Sequence, residues 1–589
     1  MKNTLIYNVL IVAIVSSTQS MHAFAYTSVI DFFTARDLEL EGSVNLTHAG
    51  VWRQVALPHT ERGQKLLRES LKNPLTNVAE IMRRQSLIKA LVADTVLLDA
   101  LEAEIAAIAA LEHSIASDEL LDSSSPLNEV VRSFQYSGQR FALLNEKATA
   151  LNVRHVAQSF TPVLVCAFEF GVLHLLSKYL IADEHTHEHK HGHKHEKRKK
   201  HKGHDHSGAD CVHCAAVKPG SPSWVKPFVT AVQAGHVALH VVSMVHAYSA
   251  LKAKMIVMNR VYRNVSCVDK LLQHVQQSIA LLSGSKVLQE LLPADVCSPF
   301  GAIKGFMPGK QLTIFSSIGT TLVAHGVLQK THTQFNALLE QVGALDMYVA
   351  LARRMINGRG QPAAFCFADL LTDGGPRVEM VDGWHVMFDA AMVTTNNFVA
   401  SHEVGTRYIL SGPNGSGKSS FLRTLGLNTV LAQCFGIAAA QRFVVRPFHK
   451  ILSFMTIADD MASGQSSFIA RMIRAAQCIE EQESLPSGQY ALMLADDAVG
   501  QGTSTVRGEE TAYTFVAQMG SSDSTILIAA THFDKIKSLG GDPQSGFADL
   551  CMSIASDNRG YMRPLYLLEK GSSAASDVGA LWMPNQRDC

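Results

Sequence analysis

Between Tyr408 and Arg423 the chain reads YILSGPNGSGKSSFLR, and no other stretch constrains the fold as tightly. An apolar strand (Tyr408, Ile409, Leu410) runs into Gly412-Pro413-Asn414-Gly415-Ser416-Gly417-Lys418-Ser419-Ser420, and a helix is expected from about Ser419. This is the G-x-x-x-x-G-K-[ST] phosphate loop in its strand–loop–helix setting. Glycines let the backbone curl until several N–H groups point at one phosphate chain. Lys418 supplies a point charge near the β/γ-phosphates, Ser419 offers a hydroxyl to Mg²⁺, and the helix N-terminus favours the anion. A chance glycine turn would not explain strand, loop and helix in that order. The expected ligand is a nucleoside triphosphate, ATP with Mg²⁺.

At 589 residues the chain has room for about three or four domains. Its charges balance, 52 against 52, so no global field announces nucleic acid and any such contact must be local. Residues 1–25 are laid out as a secretory signal peptide: Lys2, an apolar run from Leu5 to Val15, then Ala23-Phe24-Ala25. A buried N-terminal helix is the competing reading. The ten cysteines are scattered, a pattern of reduced thiols rather than a disulfide framework. Cysteine usage and ATP chemistry therefore point to the cytoplasm, whereas the N-terminus points to export or membrane association.

Further along, residues 60–91 read as two helices broken at Asn73-Pro74, and Leu98, Leu101, Ile105, Ile108 and Ile115 repeat at helical spacing. Residues 160–181 and 224–250 are apolar and helical. Glu169, His174 and Lys178 in the first, with His236, His240 and His246 in the second, argue for buried or amphipathic helices over membrane spans. Between them lies a low-complexity insert, 184–223, with nine of the 26 histidines between His185 and His206, followed by His213 and the pair Cys211 and Cys214. Such ligands could chelate a transition metal. No second C-x-x-C closes a tetrahedral site, which favours a solvated loop. Val261, Val265, Val268, Leu272, Val275, Ile279 and Leu282 form a heptad seam. From about Val378, short strands alternate with helices, the mark of a parallel sheet; 408–411, 490–495 and 525–530 are its clearest strands.

A triphosphate hydrolase needs a carboxylate for Mg²⁺ and a group that orients water. The strand Ala491–Ala495 ends in Asp496-Asp497, and another ends in Ala530-Thr531-His532, at the sheet edge where ligands gather. Upstream of both, between the phosphate loop and the first of these strands, stands Asp459-Asp460-Met461-Ala462-Ser463-Gly464-Gln465-Ser466-Ser467.

This ordered set resembles the MutS family of DNA mismatch-repair ATPases. The family's GPN phosphate loop, DD-x-x-SG-x-S segment, acidic strand end followed by GTST, and ATH switch stand here at 412–414, 459–467, 497–505 and 530–532. Trp384-His385 and Val393 to Asn397 resemble the lead-in beside the adenine pocket, and 60–85 resembles the start of the family's core domain, with Gly63, Leu67, Pro74 and Arg84-Gln85. The resemblance implies an α/β P-loop ATPase domain at 376–589, with a mostly parallel sheet and helices on both faces. Before it would come a MutS-core-like helical region at 26–125 and an elongated all-α lever region at 126–375. It further implies a homodimer in which Ser466 approaches the partner's γ-phosphate. Within one subunit Lys418, Ser419 and Asp497 would hold Mg·ATP, Asn397 would flank the adenine, and His532 would sense the γ-phosphate or the attacking water. DNA would be clamped mainly through its phosphates.

Two departures stand out. Aligned without a gap on Gly502-Thr503-Ser504, the family's Asp-Glu pair falls on Asp497-Ala498. The water-orienting glutamate is then a methyl group, unless the strand end shifts by one residue and Asp496 serves as the catalytic acid. Loss of such a group commonly costs about a hundredfold or more, so slow turnover is expected. There is also too little chain before residue 55 for the family's mismatch-reading domain, and no appended nuclease is expected. Two functions compete: a MutS-like ATPase that dimerises and clamps DNA, and a nucleotide-gated scaffold of degenerate activity outside DNA repair. A transporter-type ATPase is disfavoured by the GTST and Thr531-His532 texts.

Overall fold

The computed structural model describes residues 28–41, 50–115, 125–137, 139–188, 224–307, 309–361, 363–389, 393–455, 467–496, 505–556 and 562–572. The signal-like segment, most of the histidine insert, and the sites expected at Ser466, Asp497 and Ala498 lie outside them. The chain divides into two compact units, one of residues 1–112, 273–297 and 336–589, the other of 113–272 and 298–335.

The first unit is mixed α/β. Its strands are β1 (Asp369–Leu370), β2 (Arg377–Gly383), β3 (Asn396–Ser401), β4 (Arg407–Ser411), β5 (Arg442–Val445), β6 (Lys450–Phe454), β7 (Ala491–Ala495), β8 (Thr525–Ala530), β9 (Ala548–Ser556) and β10 (Met562–Lys570). Six form a sheet in the order β10-β9-β4-β8-β7-β6, parallel throughout except for the antiparallel β9–β10 pair. Sheets of this kind are covered on both faces, so their strands are apolar without alternation; β7 and β8 are buried at every position. Helix α1 (Lys418–Phe435) follows β4 and is buried along nearly its whole length. On the opposite face α2 (Ser467–Glu483), α3 (Thr505–Met519) and α4 (Asp534–Gly541) close a core through Cys478, Phe515 and Ile536 against Leu452, Met493 and Leu527. A second sheet runs β1-β5-β2-β3.

The N-terminal helices belong to this same unit. The helices Glu61–Lys72 and Val78–Ala93 break where Asn73-Pro74 predicts. Thr60 caps the first, its hydroxyl accepting from the Gly63 N–H at 3.0 Å. Gln85 donates to the Ala368 and Gly436 carbonyls, which ties the second helix to the end of α1. The segment 30–37 lies along the edge strand β6: Ile30 bridges Ile451, and Asp37 accepts from the Ser453 hydroxyl at 2.6 Å. Arg474 of α2 pairs with Asp31, both deeply buried.

The second unit is helical. The long helix Ala148–Glu188 and the part of Val225–Leu282 up to residue 272 dominate it, with Gly319–Lys330 beside the first. His325 on that short helix is fully buried, 2.6 Å from the Asn128 side-chain oxygen. The heptad residues Val261, Val265 and Val268 are fully buried, as expected. The expectation of burial fails for the apolar stretches around 160–175 and 228–250: Phe168 is 73% and Leu239 65% exposed.

Candidate nucleotide site

The loop after β4 leaves the sheet at its carboxyl edge, where parallel sheets collect ligands. Three of its glycines have positive φ, Gly412 at 145°, Gly415 at 78° and Gly417 at 102°, conformations that L side chains rarely adopt. A Cβ at Gly412 would stand 2.9 Å from the Ser416 hydroxyl, and one at Gly417 would stand 3.0 Å from the Tyr566 ring. Lys418 is folded into this turn. Its Nζ donates to the carbonyls of Gly412 at 2.9 Å and Pro413 at 3.3 Å, and only 6% of the residue is exposed. The Ser416 hydroxyl is buried with no hydrogen-bond partner among the described residues.

Asp496 follows the last residue of β7, fixed by its N–H to the Phe454 carbonyl at 2.9 Å. Its carboxylate accepts a short hydrogen bond from the Ser419 hydroxyl. A hydroxyl and a carboxylate oxygen in contact, the hydroxyl on the residue after Lys418, are hard oxygen ligands of the kind Mg²⁺ takes.

A cavity of about 650 Å³ opens over the loop, lined by Asn414, Gly415, Gly417, Lys418, Ser419, Ser420 and Asp496 on one side. Its other wall includes His385, Phe388, Thr394, Asn396, Met552 and Tyr566. The His385 and Phe388 rings stack at 4.7 Å and 23°. Burial, with the Arg423 charge adding to it, pulls the His385 imidazole down to about 4, so it is neutral at pH 7. Tyr566 has a φ of 59°, a strained backbone for a bulky residue of the sort found beside functional sites. Asn396 holds it, donating to the Tyr566 carbonyl at 3.0 Å while accepting from the Leu568 N–H at 2.7 Å.

Gly412, Pro413 and Ser416 shape the turn beneath the cavity without lining it. Asn396 rather than Asn397 reaches the cavity; the Asn397 side-chain Oδ1 accepts from the Asp382 N–H at 2.7 Å instead. His532 is exposed, packs on Phe533 with centroids 4.5 Å apart, and does not line the cavity. Phe388, Met552 and Tyr566 escaped the sequence reading. An aromatic three positions after His385 was a signal for Phe388; Tyr566 had none, because its place depends on a β9–β10 register irregularity.

Comparison with known families fits this geometry. The family model described as MutS domain V matches residues 408–579, and that described as MutS domain III matches 34–352. The chain belongs to the MutS family. Among curated MutS relatives, the DNA mismatch repair protein MutS of Synechococcus sp. (strain CC9605) is 29% identical over 226 residues, 36% of this chain and 24% of the relative. That of Pseudothermotoga lettingae is 34% identical over 164 residues, 28% of this chain and 18% of the relative. That of Bacillus licheniformis is 30% identical over 165 residues, again 28% and 18%. The matched stretches thus span a quarter or less of these MutS proteins.

Proposed function

We propose that this MutS-family chain binds Mg·ATP at the Lys418 loop, that the bound nucleotide governs how two copies associate, and that turnover is slow. The observation that carries this reading is the curled loop with Lys418 folded inside it and Ser419 held by Asp496. Its residues fit the ligand. The turn keeps its curl because side chains at Gly412 or Gly417 would crowd Ser416 or Tyr566, the buried Ser416 hydroxyl lacks a partner among the described residues, and the Lys418 ammonium rests on carbonyls that a phosphate oxygen can replace. When bound, Mg·ATP supplies the phosphoanhydride whose charge these groups offset. His385 and Phe388 supply a flat, uncharged wall suited to a purine.

Asp496, rather than Asp497, is assigned as the carboxylate on the metal side, because its side chain already meets Ser419. Asp497 then follows it as the water-orienting acid does in the family's Asp-Glu pair, one methylene shorter than a glutamate. Slow turnover then comes from a short acid at Asp497. Equilibrium binding of a fluorescent ATP analogue with and without Mg²⁺ tests the assignment. Asp496→Ala should abolish the Mg²⁺ enhancement, while Asp497→Ala should retain it and change only hydrolysis. The reverse outcome returns the metal role to Asp497.

DNA clamping in the manner of mismatch-repair proteins is the leading use of such a gate, and it rests on family membership. The gated-scaffold alternative is favoured by the ungapped alignment, which puts Ala498 at the water-orienting place, and by the signal-like segment. Retention on double-stranded DNA across a salt gradient, with and without Mg·ATP, separates them: a clamp shows ATP-dependent, salt-sensitive retention, a scaffold none.

A further inference from the structure

The helices Ala148–Glu188 and Val225–Leu282 are built inside out. Where they face each other, the partly covered positions are Cys166, Glu169 and Leu173 on the first and Gln233, His236 and His240 on the second. Most outward positions are apolar and bare, Leu164 at 66%, Phe168 73%, Leu175 68%, Phe228 58%, Leu239 65% and Val245 58% exposed, with the exposed imidazoles of His174 and His246 as polar exceptions. A soluble helical hairpin has the opposite arrangement, an apolar seam and a charged exterior.

Charge placement repeats the point. Between Arg154 and Lys178 the single charged residue is Glu169, and between Lys226 and Lys252 there is none. Each interval rises about 36–39 Å as helix, enough to cross a hydrocarbon core of about 30 Å. Trp224 and Tyr248, both exposed, stand about 36 Å apart on the second helix, the separation of the two interfacial zones where such rings collect. Ionisable groups in spanning helices face the helix–helix seam and pair there, as Glu169 does with His240 at 3.1 Å.

We propose that these two stretches form a membrane-inserted helical hairpin and that its partner is a lipid bilayer. The test is flotation of the full chain with phosphatidylcholine vesicles after carbonate washing, beside a Leu164→Glu/Leu239→Glu variant. The wild type should float and the variant should be released at least tenfold, with ATP-analogue binding unchanged in both. Wild type that stays soluble without detergent, as a monomer or as an oligomer sealed through these faces, overturns the proposal. So does a variant that floats as well as wild type, since the anchor would then lie elsewhere in the chain.

A different observation carries a second inference. The Nε2 atoms of His236 and His240, one turn apart, approach to 2.6 Å, and the Glu169 carboxylate joins them, all three ligand atoms within 4.8 Å of one another. An imidazole nitrogen holds at most one proton, so His240 Nε2 cannot donate to both its neighbours, whereas a cation about 2.0–2.2 Å from each would satisfy all three. The geometry points to a site for a borderline divalent metal such as Zn²⁺ or Co²⁺, with a fourth position open. The test is Co²⁺ absorption in detergent-solubilised full chain whose nine insert histidines, His185 to His206, are changed to glutamine. One Co²⁺ per chain should remain, lost in His240→Ala and weakened more than tenfold in Glu169→Gln, with ATP-analogue binding intact. No Co²⁺ in the parent, or equal Co²⁺ in His240→Ala, overturns it.

Discussion

At the scale of single residues the site turns on differences of one position. Asp496 meets Ser419 while Asp497 lies outside the described residues, and Asn396 lines the cavity where the resemblance implies Asn397. Along a strand or its end, neighbouring side chains point to opposite sides. A sequence therefore shows that an acid stands at a strand end without showing which of two adjacent acids faces the loop. Lys418 and Ser419 were legible because the glycine spacing leaves the helix start no freedom. His385 carries a pH prediction. Its folded-state pKa of about 4 lies below the ordinary 6.5, so between these values the unfolded chain binds a proton that the folded chain refuses. His325, also near 4 through burial, acts in the same direction. Stability should be full above about pH 6.5 and fall steadily toward pH 4, by on the order of 3 kcal/mol per histidine. Thermal melts across that range check it, and His385→Gln should flatten part of the slope.

At the scale of elements, two contacts decide how the helices sit in the first unit. Gly63 and Gly343 let the helices Glu61–Lys72 and His332–Asn357 approach closely: a Cβ on Gly343 would lie 2.9 Å from the Arg62 Cβ and 3.0 Å from the Gly63 nitrogen. Gly343→Ala should cost about 1–3 kcal/mol, read as a lower denaturant midpoint with an unchanged slope. The second contact is the Asp31–Arg474 pair. Removing one partner strands a buried charge, so Asp31→Ala should cost about 3–5 kcal/mol and loosen the N-terminal segment from β6, which hydrogen exchange at β6 would report. The strands at 408–411, 491–495 and 525–530 could be read from sequence because buried parallel strands are short, apolar and punctuated by glycine or acid. The docking of 30–37 on β6 could not, since nothing local in those residues names a partner some four hundred positions away. The apolar helices show a different limit. Composition counts Glu169, His236 and His240 without regard to direction, and only their phase around the helix shows that they turn inward.

At the scale of the whole molecule, family membership explains the parallel-rich sheet and the helical segments, and the chain's own departures shape the function proposed for it. On the function proposed here, a phosphate loop that holds nucleotide beside an acid pair that turns it over slowly would give a long-lived ATP state, which suits a gate better than a motor. In a bilayer-anchored chain such a gate would control association of copies confined to two dimensions, where a modest change in affinity shifts occupancy strongly. The measurement that bears most directly on this account is the affinity of the purified full chain for Mg·ATP, taken beside Lys418→Ala, with the association state followed by sedimentation in the same samples. The account predicts saturable binding, a loss of at least ~10-fold in Lys418→Ala from removing one charge-assisted phosphate contact, and an ATP-dependent shift toward dimer in the wild type alone. Equal affinity in both proteins, or no binding in either, would contradict it.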